Sequence, residues 1–143
     1  MTSSLALNPQ DRIAIEDLLT DVSIAVDDRD PALFDSLITD DIAFDVGMGA
    51  LNGREDVMAT FTGRAADRSF VARHLWTNLK ILAVDGDTVR LRCAMATFAV
   101  MDPDGEPKRV WRCGDYFDTV RRTADGWKLA SRKLFLALPD GPG

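Results

Sequence analysis

The chain is poor in the residues that carry most recognisable chemistry: its 143 residues include one histidine, two cysteines and one tyrosine. A single histidine among scattered carboxylates forms no recognisable ligand set, so no metal centre is expected. Cys93 and Cys113 both sit in strand-like apolar text, and in a chain without a leader segment they read as buried thiols rather than as a disulfide. The N-terminus, Met1-Thr-Ser-Ser-Leu-Ala-Leu-Asn-Pro9, has neither a basic segment nor a long apolar one, so we expect a cytoplasmic protein. No apolar run approaches bilayer length, which argues against a membrane span. The net charge of −6 argues against nucleic acid, because phosphate binding needs a basic surface. The basic pairs Arg121-Arg122 and Arg132-Lys133 are short, and the first reads as a solvated strand end. There is no nucleophile elbow and no nucleotide-binding glycine motif; Gly47-Met-Gly49 fits neither, so no cofactor is expected.

What the chain does have is a core. Apolar residues make up 46% and charged residues 28%, which suits one globular domain spanning 1–143. Asn8-Pro9-Gln-Asp11 is a helix start: Asn8 can cap, Pro9 suits the first turn, and Asp11 faces the positive helix end. Ile15, Leu18, Leu19, Val22, Ala25 and Val26 then form a helical stripe as far as Asp27. Asp30-Pro31 starts a short second helix through Phe34, Leu37 and Ile38, followed by a strand at 42–46. Gly47, Gly49 and Asn52-Gly53 mark loops, and Glu55 to Arg64 reads as a third helix. Four long strands follow, at 69–83, 88–101, 108–122 and 127–137, joined by hairpin chemistry at Asp85-Gly86, Asp102-Pro-Asp-Gly105 and Ala124-Asp-Gly126. Helices followed by an antiparallel meander make an α+β domain, with a twisted sheet wrapping the helices into a cone around a pocket.

Two residues stand out chemically. His74 lies inside the strand-like run Phe70 to Leu82, and Asp27 ends the first helix, where the dipole disfavours a carboxylate. Asp27 falls beside the apolar stripe, so it wants a donor. An imidazole N–H would supply one, leaving the other ring nitrogen as a base. The alternative is a solvated helix end and an ordinary strand histidine. Asp40-Asp41 reads as a turn rather than a glycosidase pair, which needs opposed carboxylates.

Three stretches carry a family likeness. They are Asp27 before Arg29-Asp30-Pro31-Ala-Leu-Phe34 with Asp40-Asp41-Ile-Ala-Phe-Asp45; Arg73-His74-x-x-Thr77-Asn78 leading to Asp85-Gly86-Asp87; and Gly114-x-Tyr116-x-Asp118 with Arg121-Arg122 and Gly126-Trp127-x-Leu129-x-x-Arg132. In this order they resemble the nuclear transport factor 2-like superfamily, in particular its SnoaL-like, polyketide-cyclase-like branch. The resemblance implies the cone-shaped α+β fold and a cofactor-free lyase or isomerase of dehydratase, elimination or cyclase type. In its dehydratases and dehydrochlorinases a strand histidine pairs with a helix aspartate, which implies His74 and Asp27 as the catalytic pair. Val22 stands where some relatives carry a tyrosine or lysine, and Met95, Ala96 and Thr97 occupy the place of a second polar cavity residue. A non-catalytic binding or assembly domain of the same fold is the alternative.

A small hydrophobic, cyclic or aromatic molecule is the expected partner. Val22, Phe44, Phe61, Phe70, Met95 and Trp111 are candidate pocket residues, with core packing as the alternative. Trp76 shares strand parity with His74 and is a further candidate wall. Arg132 is a candidate for an anionic group or a structural ion pair. Asn78 reads as a bulge. In the first long strand Val71, Leu75, Leu79 and Ile81 share one parity, with Trp76 and Leu82 on the other. Helices can cover only one sheet face, so a homodimer or homotrimer through the other is expected.

Overall fold

The computed structural model describes residues 7–138 and the backbone of Gly141 and Pro142; the expectation drawn from the extreme N-terminus lies outside the described residues. The elements are α1 (Pro9–Asp27), α2 (Pro31–Ser36), β1 (Ile38–Asp45), β2 (Leu51–Asn52), α3 (Arg54–Ala66), β3 (Phe70–Asp85), β4 (Thr88–Met101), β5 (Lys108–Thr123), β6 (Gly126–Leu136) and β7 (Gly141–Pro142). The helices pack on one face of a curled sheet ordered β2-β1-β6-β5-β4-β3, with β7 beside β5. All pairings are antiparallel except β1 with β6.

The local signals act as expected at both helix starts. Asn8 accepts from the Gln10 N–H at 2.8 Å, and Asp30 accepts from the Leu33 N–H at 2.9 Å. The α1 stripe buries Ile15, Leu18, Leu19, Val22 and Ala25 against Phe34, Ile38, Leu91, Val120 and Leu129. One boundary differs from expectation. Ile38 does not extend α2 but opens β1, where it is fully buried and pairs with Leu129. A parallel strand partner distant in sequence decides that assignment, and local periodicity carries no trace of it.

A second difference lies in β3. Asn78 adopts a left-handed backbone (φ 56°), and the β3–β4 register shifts between Thr77 and Lys80. The inserted residue reverses the alternation of faces. Val71 and Leu75, before the bulge, point away from the helices, while Leu79 and Ile81, after it, join the core. The four do not share a face as simple parity predicts.

Several surface arginines are paired with carboxylates. Arg121 meets Asp41 at 3.1 Å, and Arg122 meets Asp11 at 2.6 Å and Asp87 at 3.3 Å. Cys93 is buried and Cys113 half-buried, and both are free thiols. Burial, followed by the Asp118 charge, pushes the Cys93 thiol up to about 12, so it behaves as an inert core residue. Among the described residues no helix is long and apolar enough to cross a membrane.

Candidate active site

The end of α1 is tied to β3 by its own chain reversal. Asp30 donates its N–H to the Ala25 carbonyl at 3.0 Å and Arg29 donates to Val26 at 3.3 Å, the double bond of a left-handed helix stop. Arg29 occupies the left-handed position (φ 57°), which glycine usually fills. Its side chain has a use there: the guanidinium donates to the Phe70 carbonyl at the start of β3. The last turn of α1 is thereby held against β3.

Asp27 completes the junction. Its Oδ1 lies 2.7 Å from His74 Nδ1, and its Oδ2 accepts the His74 backbone N–H at 2.9 Å. The Asp27 side chain is 7% exposed and that of His74 22%. A carboxylate can only accept, so Nδ1 carries the proton and Nε2 is left as the basic nitrogen. Arg73 Nη1 is 4.0 Å from the carboxylate, but its side chain is 69% exposed, so it contributes little.

Both residues border a cavity of about 380 Å³ between the helices and the concave sheet face. Val22, Phe44, Phe61, Phe70, Met95 and Arg132 line it as well. Phe34 joins them, stacked on Phe61 at 4.3 Å between centroids and edge-on to Phe44 at 6.1 Å. The wall is thus largely apolar and aromatic.

Two expected pocket residues lie elsewhere. Trp76 has the parity of His74 but sits further along β3, where its indole N–H donates to Thr20 Oγ1 at 3.2 Å and its ring packs on the core. Trp111 pairs across the sheet with Phe98, on the face away from the helices. Val110 and Arg112, its neighbours on either side, line the cavity instead, as strand alternation requires.

Arg132 combines the two roles considered for it. It borders the cavity, and it makes a two-pronged ion pair with Asp118, at 3.0 Å from Nε and 2.8 Å from Nη2. Its guanidinium also lies 4.0 Å over the Tyr116 ring. Burial works against its charge, but the charge and hydrogen bonds of Asp118 outweigh burial and hold the arginine pKa above its ordinary value. Tyr116, buried and bordering the same cavity, is shifted upward chiefly by burial, so its phenol stays protonated.

Further cavity residues were not singled out from sequence. Thr97 faces His74 directly across the β3–β4 register and is 4% exposed. Its parity with Met95 was the available signal. Arg64 and Arg112 come from α3 and β5, and nothing local in sequence marks them as neighbours of one cavity.

Comparison with known proteins gives the family and the fold. The model of the SnoaL-like domain family matches residues 9–133. Uncharacterized proteins of Mycobacterium tuberculosis and Mycobacterium bovis are 32% identical over 124 residues, spanning 85% of this chain and 82% of theirs. A Novosphingobium aromaticivorans structure, named as a candidate aromatic ring hydroxylase, is 28% identical, with a TM-score of 0.86 over 96% of both chains. A hexachlorocyclohexane dehydrochlorinase shares the fold at 22% identity, with a TM-score of 0.79 over 95% of this chain and 93% of its own. A candidate scytalone dehydratase from Novosphingobium aromaticivorans does so at 24% identity, with a TM-score of 0.76 over 90% of this chain and 85% of its own. With the family model spanning nearly all of its helices and sheet, the chain belongs to the SnoaL-like domain family, within the nuclear transport factor 2-like fold.

Proposed function

We propose that this protein is a cofactor-free lyase or isomerase acting on a small hydrophobic, cyclic or aromatic molecule. The observation that carries the reading is the 2.7 Å contact between Asp27 and His74 on the wall of an apolar cavity. Nε2 of His74 takes a proton from a substrate carbon, and the C–H electron pair becomes a new double bond. In an elimination the leaving group departs with its own bonding pair; in an isomerisation the proton returns at another carbon. Asp27 holds the ring, sets its tautomer and stabilises the imidazolium. Tyr116 and Arg132 are the donors on the same wall that can meet negative charge developing on the substrate. The likeness to a dehydrochlorinase and a candidate dehydratase supports an elimination.

The test is a panel of cyclic β-hydroxy and β-halo ketones, followed by mass spectrometry with and without a chelator. Loss of water or halide, unchanged by the chelator, is the expected result. Turnover lost to the chelator and restored by a divalent metal would contradict the proposal. Tight binding without turnover would favour the non-catalytic alternative.

We also propose a homodimer or homotrimer through the outer sheet face. Val71, Leu75, Phe98 and Phe135 are each half exposed or more, at 52%, 54%, 57% and 50%. Phe117 meets Phe135 edge-on at 5.4 Å on the same face, and Trp111 lies opposite Phe98. Apolar surface this continuous calls for a partner. Light scattering at micromolar concentration is expected to give a dimer or trimer mass, and Phe98→Glu to shift it toward the monomer. A stable wild-type monomer would refute the assembly.

A further inference from the structure

Two hydroxyl groups on the cavity wall have no partner. Tyr116 and Thr97 are 5% and 4% exposed, and both border the cavity. Among the described residues neither hydroxyl makes a hydrogen bond. Buried polar groups are nearly always bonded, so such an exception asks for a ligand or another explanation. Neither oxygen is sealed from contact: among the described residues the sealed side-chain oxygen without a partner is Thr39 Oγ1, outside the cavity lining. The oxygens of Tyr116 and Thr97 therefore keep a free surface, and the surface that both residues border is the cavity.

Of the two, Tyr116 is built as a donor. It stands on β5, paired with Cys93 of β4 and Leu134 of β6. Arg132 lies 4.0 Å over its ring, and Asp118 holds that guanidinium through Nε and Nη2. A buried ion pair thus fixes the ring and leaves its oxygen unused. Burial, the largest influence on the phenol, keeps it protonated and outweighs the pull of Arg132. A neutral O–H in a low-dielectric wall, with a cation behind its ring, is suited to hold an oxygen on which negative charge develops. Thr97 instead faces His74 across the β3–β4 register, beside the base.

We propose that Tyr116 is a catalytic residue that donates to a carbonyl oxygen of the substrate, which makes the substrate a neutral cyclic ketone that reacts at the carbon next to its carbonyl. This deepens the proposed function and rests on it, because His74 remains the base. As Nε2 takes the proton, the C–H pair forms the enolate double bond. The carbonyl π pair moves onto oxygen, where the Tyr116 O–H meets it, and the phenol keeps its own proton. When the carbonyl re-forms, the enolate pair makes the Cα=Cβ bond and a leaving group on Cβ departs with its bonding pair. A departing hydroxide takes the proton back from the imidazolium. A molecule of the same shape without a carbonyl leaves the phenol unpaired, so Tyr116 selects for ketones.

The test uses 1-tetralone and tetralin, a cyclic ketone and a hydrocarbon of similar shape without the oxygen. Affinity by equilibrium dialysis and the infrared stretch of carbonyl-labelled 1-tetralone are measured for wild type, Tyr116→Phe, Thr97→Val and His74→Ala, each checked for folding by circular dichroism. Tyr116→Phe should weaken the ketone about three- to tenfold, the usual worth of one hydrogen bond, and leave tetralin unchanged. In wild type the stretch of the bound ketone should lie below its value in hexane, and in Tyr116→Phe it should move back toward that value. A merely structural tyrosine would not move it. Thr97→Val should change neither quantity. The wild-type stretch tests the contact even where a variant fails to fold. No binding of 1-tetralone at millimolar concentration, a wild-type stretch equal to that in hexane, an equal loss of both molecules in Tyr116→Phe, or a ketone affinity that falls only in Thr97→Val would each overturn the proposal. His74→Ala should keep both the affinity and the stretch. Binding is read without turnover, so a failed carbonyl contact leaves the base assignment standing, and a fully active His74→Ala leaves the carbonyl contact standing.

Discussion

Replacing His74 by alanine is expected to lower turnover by about 10²–10⁴-fold while leaving the fold intact, the usual contribution of a positioned general base. Asp27→Asn should cost nearly as much, for a reason visible in the hydrogen bonds. One carboxylate oxygen accepts from the ring Nδ1 and the other from the His74 backbone N–H. An amide has only one acceptor oxygen. If its NH₂ faces the ring, Nδ1 must become the acceptor, the proton moves to Nε2, and the base is lost. If its NH₂ faces the backbone, two donors meet and the ring is pushed from its place. The double variant should be little worse than either single one, because the two residues act as a unit. Steady-state kinetics of the three variants provides the check, and full activity in His74→Ala would remove the mechanism.

Arg132→Ala should be the most destabilising single change at the site. It leaves the Asp118 carboxylate, whose side chain is fully buried, without its cation. Breaking one side of a buried ion pair costs about 3–5 kcal/mol, a large part of the roughly 5–15 kcal/mol that a domain has in total. At roughly 2–4 °C per kcal/mol for a chain near this size, the midpoint should fall by about 6–20 °C. Replacing both partners, Arg132→Met with Asp118→Leu, should recover most of the loss, because no buried charge is then left alone. Thermal unfolding followed by circular dichroism separates the cases. A single variant as stable as wild type would show that the pair is not sealed from water. The double variant should lose function even where it regains stability, since Arg132 also borders the cavity.

Much of the architecture was legible because it rests on local chemistry. The caps at Asn8 and Asp30, the apolar stripe of α1 and the glycine-bearing hairpins act within a few residues, and the structure uses them where the sequence suggests. One error falls where a distant partner overrules the local signal, and another where parity is counted through a bulge. Ile38 joins a strand because Leu129 is there to pair with it. Leu79 and Ile81 turn inward because Asn78 inserts a residue into β3. Trp111 is different: alternation along β5 with Gly114, Tyr116 and Asp118 already put it on the other face, and reading it as an aromatic lining residue overlooked its parity.

By itself, the sequence determined an α+β fold and an acidic net charge, and it marked His74 and Asp27 as residues without local partners. Their contact was decided only by tertiary structure. They are 47 positions apart, and the left-handed stop at Arg29, bonded to Phe70, turns the end of α1 onto β3. Periodicity reports which face of an element is apolar; which charged ends then share one cavity depends on how those faces close on each other.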